Sequence, residues 1–194
     1  MNRRVLLGGA IVGAASPAVS RVFAADSSPP RFYSEAGQFI LLRPPPRVPS
    51  RPIRMAGDIL IDFTALAGKT VIVNFWATWC APCVRELPSL GRLAGSLNGD
   101  RAVVLPIALD AKETADVAAF YAAHGVAHLP VLIDPDRRLG HLGQASDWHD
   151  LFPLSGLPTT YLIDPHGSVV GYVPGAAAWD SAPAKALIAW VAER

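Results

Sequence analysis

Residues 71–76, VIVNFW, are a near-continuous run of β-branched and aromatic side chains. A strand with no polar alternate face has to be covered on both sides, as central strands of α/β sheets are. Four positions later the chain reads as a helix from Cys80 to about Leu97, with Pro88 as a kink inside it. A second buried strand is predicted over 102–109, a helix over 114–124 and a short strand over 129–133. Residues 137–155, with Gly140, Gly143 and Pro153, read as an irregular insertion. Strands over 159–164 and 169–173 flank the turn Pro165-His166-Gly167, and Ser181 can cap a last helix over 181–193. Alternating units followed by a hairpin and a helix predict the α/β class, a mixed central sheet with helices on both faces.

The chain has 194 residues, 51% apolar and 17% charged, enough for one well-packed domain. Residues 1–25 read as an export signal. Arg3 and Arg4 form a charged start, residues 5–20 are apolar and small, and Val22-Phe23-Ala24 suits a signal peptidase. The run is shorter than the about 20 apolar residues of a membrane span and is broken by Pro17, although a retained anchor is the alternative. The route is either Sec or twin-arginine, since NRRVLL resembles the latter's motif. The expected location is the periplasm. With Arg3, Arg4 and Arg21 set aside, 14 basic residues face 16 acidic ones, which argues against a nucleic-acid partner. Residues 26–57 form a Pro- and Arg-rich arm or linker, with a possible edge strand at 38–42, and residues 58–194 form the domain.

The chemistry centres on Cys80-Ala81-Pro82-Cys83, the chain's only cysteines. Both lie at the predicted start of a helix, where free N–H groups and the helix dipole favour a thiolate. Cys80, at the open end, is the expected nucleophile, and Cys83, one turn in, the resolving thiol. A CxxC beside a β-α-β pattern is a strong redox signal, and the Cys80–Cys83 disulfide is then the redox group, with no cofactor. Zinc would need two further ligands, and the five histidines show no paired spacing, so no metal site is expected. Covalent haem would need a histidine where Val84 stands. An inert structural disulfide is a weak alternative, because so small a loop restrains the unfolded chain little.

VNFWATWCAPCVRELPSL resembles the active-site segment of the exported thioredoxin-like reductases of the TlpA, ResA and CcmG group, and GLPTTYLIDPHG resembles their second hallmark. The likeness spans about 58–190 and, in the stretch GAAAWDS, is greatest to the TlpA branch. It implies a thioredoxin fold and a cis Pro158 facing the disulfide, with the backbone of Leu157 turned outward to pair with an extended substrate. Asn74 stands where cytosolic thioredoxins carry a buried aspartate. Glu86, three residues after Cys83 and on the same helix face, matches a glutamate of this group that tunes the thiols, although a solvated helix glutamate is the bland alternative. Trp76 reads as core, and Trp79, next to Cys80, as a substrate platform.

By this resemblance the chain is a periplasmic thiol:disulfide oxidoreductase that reduces exported proteins. Its expected partners are exported substrates with cysteine pairs, either copper sites of respiratory oxidases or apocytochromes c, and a membrane electron donor that recycles it. Two rivals remain open at this level: an oxidant or isomerase for exported proteins, and a Cu(I) chaperone using the two thiolates.

Overall fold

The computed structural model describes residues 28–97, 99–143 and 152–194. The expected export signal at 1–25 therefore lies outside the described residues, as do positions 144–151 of the predicted insertion. The elements are β1 (Ile40–Leu41), β2 (Ile53–Met55), β3 (Leu60–Ile61), β4 (Thr70–Trp76), α1 (Ala81–Ser96), β5 (Ala102–Ala108), α2 (Thr114–Ala123), β6 (Leu132–Ile133), β7 (Gly140–Leu142), β8 (Phe152–Leu154), β9 (Thr159–Ile163), β10 (Val169–Pro174) and α3 (Ala182–Ala192).

Eight strands make one mixed sheet in the order β1-β10-β9-β4-β5-β6-β2-β3. β4 runs parallel to β5 and antiparallel to β9, so the VIVNFW strand lies at the centre, and all seven residues of β4 are buried. Its alternate residues divide the core. Ile72 and Trp76 join a cluster with Leu87, Leu90 and Leu93 of α1, Val117 and Tyr121 of α2, and Leu187 and Val191 of α3. Val71, Val73 and Phe75 join a second cluster with Phe63, Phe152 and Tyr161. A mixed sheet flanked by helices around such a strand is the thioredoxin fold.

The segment predicted as an irregular insertion carries two short parallel strands, β7 and β8. Phe152 of β8 packs against Phe75 at 5.4 Å and Phe63 at 5.9 Å between ring centroids, covering the second cluster. Pairing here is tied to aromatic burial, a long-range effect that local turn residues do not announce.

The Pro-rich arm is built into the domain at both edges of the sheet. β1 pairs antiparallel with β10, and β2 pairs with β3 and β6. Phe32 and Phe39 are buried, the first at 5.1 Å from Trp179 and the second edge-on to Trp190 at 6.3 Å. Glycines on β10 and just after it make room for this. A Cβ on Gly171 would lie 2.3 Å from the Ile40 carbonyl oxygen and 2.5 Å from the Phe39 ring, and one on Gly175 would lie 2.5 Å from Ala36 Cβ. Gly175 also has φ of 78°, the left-handed region that favours glycine.

Gly171→Ala is therefore expected to lift residues 39–40 off β10. Urea denaturation should show a loss of about 1–3 kcal/mol, the usual cost of overpacking. Limited proteolysis should gain cleavage between residues 36 and 50. Unchanged stability and cleavage would mean that the arm does not pack as described.

Candidate active site

β4 ends at Trp76, whose carbonyl accepts the N–H of Leu109 at 3.0 Å and so stays tied to the end of β5. The next residues turn tightly. Thr78 donates its backbone N–H to both carboxylate oxygens of Asp110 at 3.1 Å, and Cys80 N–H donates to Ala77 O at 3.1 Å. Asp110 thus anchors the loop that presents Trp79, which is 66% exposed, and Cys80. No sequence signal marked Asp110. Its partner is 32 residues away, and only the pairing of β4 with β5 brings the two together.

Cys80 is the N-cap of α1. Its Sγ accepts the N–H of Cys83 at 3.3 Å, and Val84 N–H donates to Cys80 O at 3.0 Å. Ala81 and Pro82 fill the first turn, where proline costs no helix hydrogen bond. The two cysteines form a disulfide with S–S of 2.05 Å and Cα–Cα of 5.2 Å. Cys80 keeps 5% exposure and Cys83 none, so the rim of the pair belongs to Cys80. The group able to carry electrons here is this disulfide.

The Leu157–Pro158 peptide is cis. Antiparallel pairing of Thr159 with Phe75 places Pro158 opposite Trp76, at the end of β4 from which the CxxC loop departs. Leu157 packs on the cluster that contains both cysteines. The topology thus gathers Trp79, Cys80, Cys83, Leu157 and Pro158 at one end of the central strands.

Glu86 is buried, at 3% exposure. Its carboxylate takes three N–H donors from two parts of the fold. Asn74 Nδ2 donates to Oε1 at 2.7 Å, and Ala177 N and Trp179 Nε1 each donate to Oε2 at 3.0 Å. Asn74 Nδ2 also donates to Thr160 Oγ1 at 2.9 Å. Burial pushes the carboxyl from 4.5 up to about 7. The donors from Ala177, Asn74 and Trp179 pull it down, and the charge of Glu35 adds to the rise. The carboxyl is thus held toward its neutral form, one helical turn beyond Cys83. Trp179 was missed at the sequence level. Its signal was a tryptophan between small residues just before a helix, whose N–H needs a buried acceptor.

A redox-capable disulfide at a helix start and a cis-proline at the same end of a thioredoxin-fold sheet define the class of thiol–disulfide exchange proteins. The AhpC/TSA family model matches residues 56–172, and the chain belongs to that family. It is 36% identical over 115 residues to the thiol-disulfide oxidoreductase ResA of Bacillus subtilis, covering 59% of this chain and 58% of the relative. It is 37% identical over 117 residues to ResA of Bacillus thuringiensis, covering 59% and 60%. The chain thus matches less than two thirds of the length of these relatives. Among solved structures it resembles a DsbE-type thiol:disulfide interchange protein of Chlorobium tepidum, with 25% identity, TM-score 0.58 and coverage of 76% of this chain and 96% of that one. It also resembles the exposed lipoprotein thioredoxin of Streptococcus pneumoniae, with 25% identity, TM-score 0.52 and coverage of 74% and 98%. These likenesses are to thioredoxin-fold thiol–disulfide oxidoreductases of the ResA and DsbE kind. They do not distinguish a TlpA branch.

The carboxyl of Glu86 sets a pH test. In the unfolded chain it ionises near 4.5 and in the fold near 7, so between those values the fold holds a proton that the unfolded chain has lost. This contribution is complete below pH 4.5 and is lost as pH rises through 7. It amounts to about 3 kcal/mol at about 1.4 kcal/mol per pH unit. The stability difference between wild type and Glu86→Gln, from urea denaturation of the oxidised proteins at pH 4 to 8, should fall with rising pH by about that amount. A flat difference would contradict the assignment.

Proposed function

We propose that this protein is an exported thiol:disulfide oxidoreductase that reduces disulfides of other exported proteins. The observation that carries the reading is the Cys80–Cys83 disulfide at the N-cap of α1, with one edge reachable and a proton-exchanging carboxyl one turn behind it. In the reduced enzyme, the Cys80 thiolate attacks one sulfur of a target disulfide and expels the other as a thiolate. Cys83 then attacks Cys80 Sγ, releases the second target thiolate and reforms the Cys80–Cys83 bond. Two electrons pass to the target, and the two protons lost by the enzyme thiols end on the target thiols. Glu86 accepts the proton of Cys83 as that thiol becomes the nucleophile. Trp79 and the backbone of Leu157 beside Pro158 hold the target segment.

Export rests on residues 1–25 and their signal-like pattern, with the arm and the thioredoxin-like domain following. The solved pneumococcal relative is itself named an exposed lipoprotein. In an oxidising compartment a reductant needs a membrane electron donor to recycle it. The targets fitting the resemblance in the active-site segment are proteins being loaded with copper or haem, whose paired thiols would otherwise oxidise.

Cys80→Ser should abolish dithiothreitol-driven reduction of a model disulfide, and the measured potential should lie nearer about −270 mV than about −120 mV. Cys83→Ser should leave Cys80 bonded to its targets, seen as reducible adducts on non-reducing gels after an acid quench. Those targets should be a few exported proteins carrying CxxC, CxxxC or CxxCH motifs. Adducts spread over abundant proteins with structural disulfides would favour the oxidant or isomerase reading instead.

A further inference from the structure

A cleft of about 430 Å³ lies between the arm, α1 and the loop before α3, with Glu86 among its lining residues. The arm wall is made by Tyr33, Ser34 and Glu35. It is held by Glu35 N–H donating to Ala176 O at 2.9 Å and by Ser34 Oγ donating to Pro174 O. Across the cleft, Arg85 Nη2 meets Glu35 Oε2 at 2.8 Å, both side chains being more than half exposed. Beneath this pair, Phe32 is buried against the Trp179 ring, and the Trp179 indole N–H bonds the Glu86 carboxylate.

We propose that residues 32–35 of the arm are positioning residues for Glu86: Phe32 holds the Trp179 donor in place, and the Glu35–Arg85 pair spans the cleft that leads down to the carboxylate. This rests on the thiol–disulfide reading, and it assigns the arm a part in that chemistry. The arm lies outside the matched family segment of residues 56–172, so this control belongs to the chain's own N-terminal region.

The charges facing Glu86 are few and nearly balanced. The arm brings Glu35, α1 brings Arg85 and Arg92, and the loop before α3 brings Asp180, which Arg92 Nε meets at 2.6 Å. β4 contributes only the neutral Asn74. Glu35 is a like charge and holds the Glu86 carboxyl toward its neutral form, consistent with the direction of its effect. Arg85 offsets Glu35. Removing one member therefore acts opposite to removing the other, whereas a loosened arm would admit water and shift both variants the same way.

The test is a carbon-13 titration of the Glu86 carboxyl in oxidised protein, with its resonance assigned by loss in Glu86→Gln. At low ionic strength, Glu35→Gln should move the midpoint to lower pH and Arg85→Met should move it to higher pH, each by some tenths of a pH unit. The double variant should lie between them, and added salt should shrink both shifts. Both substituted side chains are exposed, so folding should survive. Phe32→Ala, where it folds, loosens the Trp179 donor that pulls the carboxyl down and should move the midpoint to higher pH. The pH midpoint of disulfide reduction by dithiothreitol should follow the same order. Midpoints unchanged in Glu35→Gln and Arg85→Met, or moved in the same direction, overturn the proposal. The titration needs no substrate, so a wild type unable to reduce disulfides would sink the reductase reading and leave this result standing on its own.

Discussion

A carboxylate taken out of water costs several kcal/mol unless donors replace the water it loses. Glu86 meets that demand with Asn74 from the central strand and with Ala177 and Trp179 from the loop before α3. The demand organises its surroundings. It explains why Asn74 interrupts the otherwise apolar run of residues 71–76. It fixes where the loop of residues 176–180 crosses α1, where Ser89 Oγ adds a further tie by accepting Trp179 N–H at 3.2 Å. Trp179 in turn offers its ring to Phe32, so the docking of the arm follows from how the buried acid is satisfied.

α1 separates two tasks along its first two turns. At its exposed end, Cys80 caps the helix and keeps a small reachable edge, held there by the Thr78–Asp110 anchor on the far side of the loop. One turn in, Cys83 is sealed from solvent, and a turn beyond that comes the acid. The small reachable edge of the pair thus lies at Cys80, about two helical turns from the buried acid. The ordering depends on helix periodicity, since Cys80, Cys83 and Glu86 follow one another at intervals of three.

Most of what was legible in the sequence is local. The VIVNFW strand, the helix beginning at Cys80, the terminal hairpin and the Ser181 cap rest on patterns read within a dozen residues, and the structure places each of these elements where expected within a few positions. The β7–β8 pair, the Asp110 anchor and Trp179 were not legible, because each depends on partners tens of residues away. Glu86 sat between the two cases. Its helix spacing allowed either a solvated or a buried acid, and only the Asn74 and Trp179 donors decide for the buried one. The arm shows the same limit: its proline content allowed either a linker or an arm with an edge strand, while the clearance at Gly171 and Gly175, residues far along the chain, records how closely it packs.

As an amide, Asn74 can do what an aspartate could not. In the structure its Nδ2 donates both hydrogens, to Glu86 and to Thr160, while its Oδ1 is buried without a hydrogen-bond partner. That arrangement suits an ionised Glu86. A neutral Glu86 carries a proton to donate, and a half-turn of the amide would put an acceptor where the donor now stands, with the Thr160 hydroxyl free to reverse as well. A second carboxylate in this place would instead repel the ionised acid and push it further toward its neutral form. The amide keeps both protonation states of Glu86 within reach, which is what a group that passes a proton near neutral pH requires.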